Sequence, residues 1–263
     1  MRDELMSEII KLEWDMFSHV SNVGGPASCQ MRPDTFKIMR KSQAATWSDE
    51  LLASYLEDLK AATREGRNIM TEKYARMMES TFPEEYRKLA ASLPPVDKET
   101  LQKIEEIVAI NVGWKAELFD RYPRLSGKGR PLRTSEDSTG ETSFETYLRG
   151  ELKTYSARTI TLLHELTLRQ QQDGVNGAAL NSSIRCSSTG MPRSNRPKAI
   201  AREADGVPGF LTGAALPIPC PFRHGVPSER QAARKANSRD PKAPDRRGRR
   251  RPWRSWRLSI FSE

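Results

Sequence analysis

The sequence is poor in the residues that build metal centres and disulfide scaffolds. It contains three cysteines, at positions 29, 186 and 220, and three histidines in 263 residues. No C-x-x-C, C-x-x-H or E-x-x-H spacing occurs, although zinc modules and di-iron helical bundles are built on such patterns. The sequence therefore predicts no disulfide framework, no metal site and no bound cofactor.

Long apolar runs are also missing. No stretch approaches the roughly 18 consecutive apolar residues that a membrane-spanning helix needs. The first residues, MRDELMSEIIKLEWDMF, are charged and amphipathic and lack the apolar core of a signal peptide. Together with the scarcity of cysteine, this predicts a soluble, cytoplasmic protein from a reducing compartment, without a membrane partner.

The alternation of β-branched and polar residues that is typical of strands is absent from residues 1–170. Apolar residues instead recur every three or four positions, which is the period of an amphipathic helix. This spacing predicts seven helices, over about 3–21, 35–46, 49–65, 68–80, 83–93, 98–122 and 143–166. We therefore expect an all-α domain of six or seven helices, over residues 3–170, packed as an irregular or orthogonal bundle.

Capping residues mark several of the predicted helix ends. Asp34, Ser48 and Asp97 precede the second, third and sixth helices and can accept hydrogen bonds from their first N–H groups. Thr142 and Glu145 have the spacing of a capping box for the seventh helix. Gly66 follows the third helix, where a residue with positive φ commonly ends a helix.

Charge is distributed unevenly along the chain. Residues 1–170 carry 25 Lys and Arg against 27 Asp and Glu, whereas residues 171–263 carry 18 against 7. The formal net charge of +9 therefore originates in the last third, which also holds ten of the 17 prolines. Such a segment has too little apolar surface to offset the entropy of ordering it, so we predict that residues 171–263 form a disordered, Arg- and Pro-rich tail.

Three interpretations of the tail stay open. Its richness in Arg, Pro, Ala, Gly and Ser with scattered Trp is typical of a GC-rich gene translated out of frame, so it is a candidate frameshift product. It could equally be a disordered tail without a specific role. Residues 246–257, RRGRRRPWRSWR, could also form a nucleic-acid-binding arm, in which arginines neutralise phosphates and tryptophans stack on bases.

Several blocks of the helical region resemble a known family. They are MFSHVSNVGGPASCQMRPDTFKIMRKSQ, SYLEDLKAATREGRNIMTEKYARMMES, EIVAINVGW, GRPLRTSEDSTGETSFETYLRGEL and TYS. Over about residues 5–168 the chain resembles the uncharacterised bacterial family named domain of unknown function 4125 (DUF4125). The resemblance implies a small helical cytoplasmic domain and no assigned reaction.

Two polar, glycine-containing loops are the candidate site. The first, residues 22–33, contains Cys29, a thiol near Arg32, Lys37 and Arg40 that could be activated by positive charge or could be a small buried apolar residue. The second, residues 123–142, is longer than a simple connection requires. The candidate ligand-binding residues are Asn22, Gly24, Gly25, Cys29, Arg40, Lys128, Arg130 and Arg133.

The polar residues on the helices have a plainer interpretation. None of the carboxylates predicted to lie on helices has the E-x-x-H spacing of a di-iron site; they include Glu13, Glu72, Glu105, Glu106, Glu145 and Glu151. Residues 67–76 are densely charged and predict a solvated helix face with ion pairs.

We carry three hypotheses for function. The first is a non-catalytic binding or regulatory domain for a small anionic ligand or a protein partner, with its site between the loops 22–33 and 123–142. The second is a thiol-dependent enzyme that uses Cys29, assisted by Arg40 or His164. The third is nucleic-acid binding through the basic tail.

Overall fold

A computed structural model of the protein describes residues 1–21, 25–122 and 130–188. Within these ranges the chain forms nine α-helices and no β-strand, which confirms the all-α class. The helices are α1 (Arg2–Ser18), α2 (Pro33–Ala44), α3 (Asp49–Arg64), α4 (Ile69–Thr81), α5 (Pro83–Leu89), α6 (Lys98–Arg121), α7 (Phe144–Leu152), α8 (Ala157–Gln172) and α9 (Gly177–Ser188). Three short 3-10 turns accompany them, at Ser28–Met31, Ala90–Ser92 and Thr134–Glu136.

Side-chain caps fix where several helices begin. The hydroxyl of Ser48 accepts a hydrogen bond from the N–H of Leu51, and the carboxylate of Asp97 accepts one from Thr100. Both predicted caps are therefore confirmed. Gly66, with φ of 69°, follows α3 in the conformation that glycine tolerates best, as predicted.

Two other predicted caps are wrong. α2 begins at Pro33, whose fixed φ suits the first helical position, and Asp34 lies inside the first turn. The cap of α7 is Ser143, because its hydroxyl accepts from the N–H of Thr146, and not Thr142.

The prediction of six or seven helices is also wrong. The single helix expected over 143–166 is two helices, because the chain turns between Leu152 and Ala157. Ser156 caps α8, and its own N–H donates to Asp58 of α3 at 3.0 Å. These two hydrogen bonds of Ser156 fix the start of α8 and separate it from α7, although the apolar spacing that predicted one helix continues across the break.

The segment predicted to be a disordered tail begins at residue 171, but α8 extends to Gln172 and α9 follows it, so that prediction fails for residues 171–188. α9 packs against α2 and α6 and buries Leu180 and Ile184. Asn176 links the start of α9 to α6, since its side-chain amide donates to the carbonyl of Trp114 at 3.0 Å. The rest of the predicted tail, 189–263, lies outside the described residues.

The main core lies between α1, α3, α6 and α8. Leu51, Leu52, Leu59, Ile104 and Ile160 are fully buried there. At about 1.5–3 kcal/mol for each fully buried aliphatic side chain, these residues supply a large part of the stabilisation of the bundle. The core also contains polar groups, and these lead to the candidate site.

Candidate functional site

Four charged side chains meet inside the helical bundle, one from each of four helices. They are Glu13 of α1, Arg40 of α2, Lys73 of α4 and Glu151 of α7, and we call them the buried charge cluster. The side chain of Glu13 is fully buried, those of Lys73 and Glu151 are 3% and 5% exposed, and that of Arg40 is 11% exposed. Charged groups are rarely buried to this degree unless they are paired.

Arg40 joins the two carboxylates. Its Nε donates to Oε2 of Glu13 at 2.7 Å, its Nη2 donates to Oε1 of Glu13, and its Nη1 donates to Oε1 of Glu151 at 3.0 Å. The planar guanidinium suits this arrangement, because it offers parallel donors to one carboxylate and a further donor to another. Lys73 completes the cluster by donating from Nζ to Oε2 of Glu151 at 2.5 Å.

Two buried tyrosines supply further donors to the same carboxylates. The hydroxyl of Tyr55 donates to Oε1 of Glu13 and that of Tyr155 to Oε1 of Glu151, both at 2.8 Å. Burial, reinforced by the nearby carboxylates, raises the pKa of both tyrosines well above their ordinary value, so they remain protonated donors. Every carboxylate oxygen of the cluster thus accepts at least one hydrogen bond.

The neighbours of Glu151 in the cluster determine its ionisation state. Burial alone would raise the pKa of Glu151, but the charges and hydrogen bonds of Lys73 and Arg40 outweigh it and hold that pKa far below its usual range. A carboxylate that stays ionised and saturated with donors is unsuited to act as a general acid or base. The buried charge cluster therefore positions helices, and a ligand would be accommodated more easily at its outer side, where the side chains are half-buried.

The outer side of the cluster is formed by Lys73, Tyr74, Tyr147, Arg130 and Cys29, which we call the Tyr147 face. Nζ of Lys73 lies 3.6 Å from the centroid of the Tyr147 ring, and Cζ of Arg130 lies 4.7 Å from it. Two cations on one ring are attracted by its π-electron density, at about 0.5–2 kcal/mol for each contact. The Tyr147 ring thus brings together two cations, Lys73 of α4 and Arg130 of the loop that precedes α7.

Cys29 and Tyr74 belong to the same face. Burial raises the pKa of Tyr74 well above its ordinary value, with further contributions from Tyr147 and Cys29, while Arg130 opposes the shift. Cys29 is half-buried and packs against the main core. The thiol, the phenol and the guanidinium are therefore electrostatic neighbours.

A local hydrogen-bond network fixes the turn that carries Cys29. Nε2 of Gln30 donates to the carbonyls of Phe17 and Val20, both at 2.9 Å, and its Oε1 accepts from the N–H of Ala27 at 2.7 Å. Gly25 enters this turn with φ of 99°, a conformation that favours glycine. Gln30 thus fastens the turn to the end of α1 and holds Cys29 against the bundle.

Comparison with known proteins now identifies the family. The family model described as "Protein of unknown function (DUF4125)" matches residues 3–195. The chain belongs to this family. The match runs beyond the predicted limit of residue 168 and includes α9. No curated protein and no solved structure matches the chain.

Three of the predicted site residues of this DUF4125 chain converge. Cys29 and Arg130 lie on the Tyr147 face, and Arg40 lies behind it in the buried charge cluster. Gly25 is exposed in the turn, and Arg133 is exposed with its backbone N–H donating to Glu136 at 2.7 Å. Asn22, Gly24 and Lys128 lie outside the described residues, as do residues 246–257 of the predicted nucleic-acid arm.

Arg40 and His164, which the enzyme hypothesis offers as assistants of Cys29, each pair with carboxylates. Arg40 is fully engaged by Glu13 and Glu151. His164 of α8 pairs with Glu106 of α6, at 2.7 Å from Nε2 to the carboxylate oxygen.

The residues on which the face is built are not evident from the sequence. The densely charged segment 67–76 predicts a solvated helix face, but Lys73 and Arg76 of that segment are buried. The overlooked signal is spacing, because Lys73 lies three residues after Met70 and four before Met77, on the apolar stripe of α4. Glu151 likewise lies beside Leu152 and four residues before Tyr155.

A second charged surface of the described residues is less suited to bind an anion than the Tyr147 face. A depression of about 470 Å³ between the starts of α6 and α8 contains Lys103 and Arg158 but also Asp97 and Glu99. Lys103 is paired with Glu99 there at 2.8 Å, so the depression offers no excess of positive charge. Among the described residues no cluster of His, Cys, Asp and Glu could hold a metal ion, and none of their helices could span a bilayer.

Proposed function

We propose that this DUF4125 protein is a binding or regulatory domain that recognises a small anionic ligand at the Tyr147 face. The observation that carries the proposal is the placement of Lys73 and Arg130 on the same tyrosine ring, beside the turn of Cys29. The face takes Cys29 and Arg130 from the two polar loops, and it adjoins the buried charge cluster through Lys73.

Two cations of this region are placed where they could interact with an anion. Lys73 and Arg130 both lie against the Tyr147 ring, and Nη1 of Arg130 also donates to the carbonyl of Thr142 at 2.9 Å. Both carboxylates of the buried charge cluster are already saturated by Arg40, Lys73, Tyr55 and Tyr155, so they do not compete for cations at the outer side. The guanidinium of Arg130, which is half-buried, is suited to a carboxylate or phosphate group because of its planar array of donors.

Ligand-induced stabilisation of the full chain tests the proposal. The melting temperature is measured with citrate, inorganic phosphate and succinate, against sodium chloride of equal ionic strength. A ligand at about 100 times its Kd stabilises the native state by about 2.7 kcal/mol, which raises the melting temperature by roughly 5–11 °C for a chain of this size.

Two arginine variants distinguish binding of the anion at the Tyr147 face from a general stabilising effect of ions. Arg130→Gln removes the cation on the Tyr147 ring, whereas Arg133→Gln removes an exposed arginine nearby. We expect the ligand response to be lost in the first variant and kept in the second. An equal response in both, or none beyond that of sodium chloride in the wild type, would reject the proposal.

The thiol-dependent enzyme remains a second candidate, favoured because Cys29 and Arg130 both act electrostatically on Tyr74. Nearby positive charge stabilises a thiolate and increases its reactivity at neutral pH. The rate of iodoacetamide labelling at Cys29, followed by peptide mass spectrometry at pH 7, tests this. A rate no higher than that of free cysteine rejects the enzyme and leaves the binding domain standing.

A further inference from the structure

A buried cation without a negatively charged partner lies on α4. Arg76 is 7% exposed, and its Nη2 donates to the carbonyl of Pro94 at 2.5 Å. Its Nε is fully enclosed and has no hydrogen-bond partner. Among the described residues no carboxylate lies within 4 Å of its guanidinium, whereas Arg40 pairs with two carboxylates. A buried charge without compensation destabilises the fold, so an anion beside Arg76 would be bound favourably.

The acidic residues nearest to Arg76 on α4 are engaged elsewhere. Both carboxylate oxygens of Glu72 accept from Arg67, at 2.8 and 2.9 Å, and Glu79 accepts from Lys153 at 3.0 Å. Burial lowers the pKa of Arg76, and the charges of Glu72 and Glu79 offset this effect only in part. The guanidinium is therefore desolvated more than it is compensated.

The guanidinium of Arg76 reaches the surface at one edge of the bundle. Arg76 lies three residues after Lys73, but Lys73 extends to α7 whereas Arg76 extends to the connection 93–97 that follows α5 and its 3-10 turn. Nη1 of Arg76 has no partner either and is not fully enclosed, so it is the atom that an incoming group can contact. In the connection, Pro94 is half-buried and Pro95 is exposed. An anion can therefore reach the guanidinium without entering a closed cavity.

A small apolar cluster adjoins this edge. It consists of buried Ala75, Met78 and Leu89 with half-buried Phe82, Tyr86 and Leu93 packed against them. Tyr86 is an electrostatic neighbour of Arg76, and Leu93 precedes the proline whose carbonyl accepts from it. The surroundings of the cation are thus suited to a ligand with an apolar body.

We propose that Arg76 anchors a binding site for the carboxylate group of a small aliphatic acid, at the edge formed by α5 and the connection 93–97. A guanidinium offers planar donors that match a carboxylate, and its one positive charge is balanced by one negative charge. A phosphate dianion would need a second cation, but the neighbouring Arg67 is already paired with Glu65 and Glu72.

Nuclear magnetic resonance of the full chain tests this inference. The Nε–H signal of Arg76, assigned by through-bond correlation to its backbone amide, is followed during titration with sodium acetate against sodium chloride at constant ionic strength. We expect a saturable shift with acetate. The Nε–H signal of Arg40, which donates to Glu13 at 2.7 Å, should stay in place and serves as the internal control. A signal of Arg76 that moves no more than that of Arg40 would overturn the proposal.

Variants provide a second readout. Acetate should raise the urea midpoint of the wild type and of Arg87→Met, whose arginine side chain is 69% exposed on α5, but not that of Arg76→Met. The response should persist in Arg130→Gln, because the site is independent of the Tyr147 face, and the two proposals can therefore fail separately. An acetate response that is retained in Arg76→Met, or lost in Arg130→Gln, would overturn the assignment to Arg76. If Arg76→Met does not fold, the titration of the wild type decides.

Discussion

Replacing Arg40 by methionine is the sharpest test of the buried charge cluster. The substitution keeps an unbranched side chain on α2 and removes the cation that joins Glu13 to Glu151. Glu151 would retain Lys73 at 2.5 Å. Glu13 would keep only the hydroxyl of Tyr55 and would become a fully buried carboxylate without a cation.

The expected loss follows from that orphaned charge. Removing one partner of a buried ion pair costs about 3–5 kcal/mol, because the remaining charge stays desolvated and uncompensated. This is a large share of the roughly 5–15 kcal/mol by which domains are stable. With a urea m-value of about 2 kcal/mol/M, the unfolding midpoint of Arg40→Met should fall by about 1.5–2.5 M.

Urea unfolding, followed by far-UV circular dichroism and tryptophan fluorescence, measures the loss. The matched control is Arg158→Met, which removes an arginine that is 74% exposed and paired with Glu50 at 3.8 Å. An exposed pair contributes about 0–1 kcal/mol, so this control should unfold close to the wild type. The double variant Glu13→Gln/Arg40→Met removes both charges and leaves an amide oxygen for Tyr55, so it should recover part of the loss.

Two results would contradict this reasoning. One is a midpoint of Arg40→Met equal to that of Arg158→Met, which would mean that the buried pairing stabilises no more than a surface pair. The other is a double variant less stable than Arg40→Met, which would mean that the orphaned carboxylate of Glu13 is not the source of the loss.

Two further predictions concern close packing and pH. Gly150→Ala should lower the free energy of unfolding by about 1–3 kcal/mol, because an added Cβ would lie 2.9 Å from Cγ of Met77 and 3.1 Å from the carbonyl oxygen of Lys73. The control Gly113→Ala, whose added Cβ would have no neighbour within 4 Å, should raise the free energy of unfolding by up to about 1 kcal/mol in the same urea assay. Equal effects of the two variants would refute the close approach of α4 and α7. Because the pKa of Glu151 is lowered in the folded state, its contribution should be present above about pH 5 and decline as the pH falls below the unfolded value near 4.3. Urea midpoints at pH 7 and pH 3 should therefore differ less in Glu151→Gln than in the wild type, and an equal difference in both would refute the assignment.

Local patterns predicted much of the fold. The apolar period of three or four and the caps Ser48 and Asp97 placed most helices near their observed bounds, since both depend on neighbours within a few residues. The break between α7 and α8 was missed because its anchor is Asp58, which is far away in sequence. The apolar positions of α9 are too few to predict a helix, and they become favourable only when α2 and α6 cover them.

The candidate site was predictable only in part. Cys29 and Arg130 were selected because loops with glycine and cations often bind ligands. Their neighbours Lys73 and Tyr147 lie on helices and looked like ordinary helix residues, because no local pattern shows which charged side chain a distant helix will enclose. Only the placement of Lys73 on the apolar stripe of α4 pointed to its burial.

The packing of α9 has a consequence for the synthesis of the protein. α2 is among the first helices to leave the ribosome and α9 is the last described helix, so at 5–20 residues per second the two emerge on the order of ten seconds apart. From the time each of them emerges until α9 follows, the surfaces of α2 and α6 that α9 covers, including Trp114, are exposed on the nascent chain. The bundle is therefore open to chaperones and to aggregation until residues 177–188 have emerged and closed it.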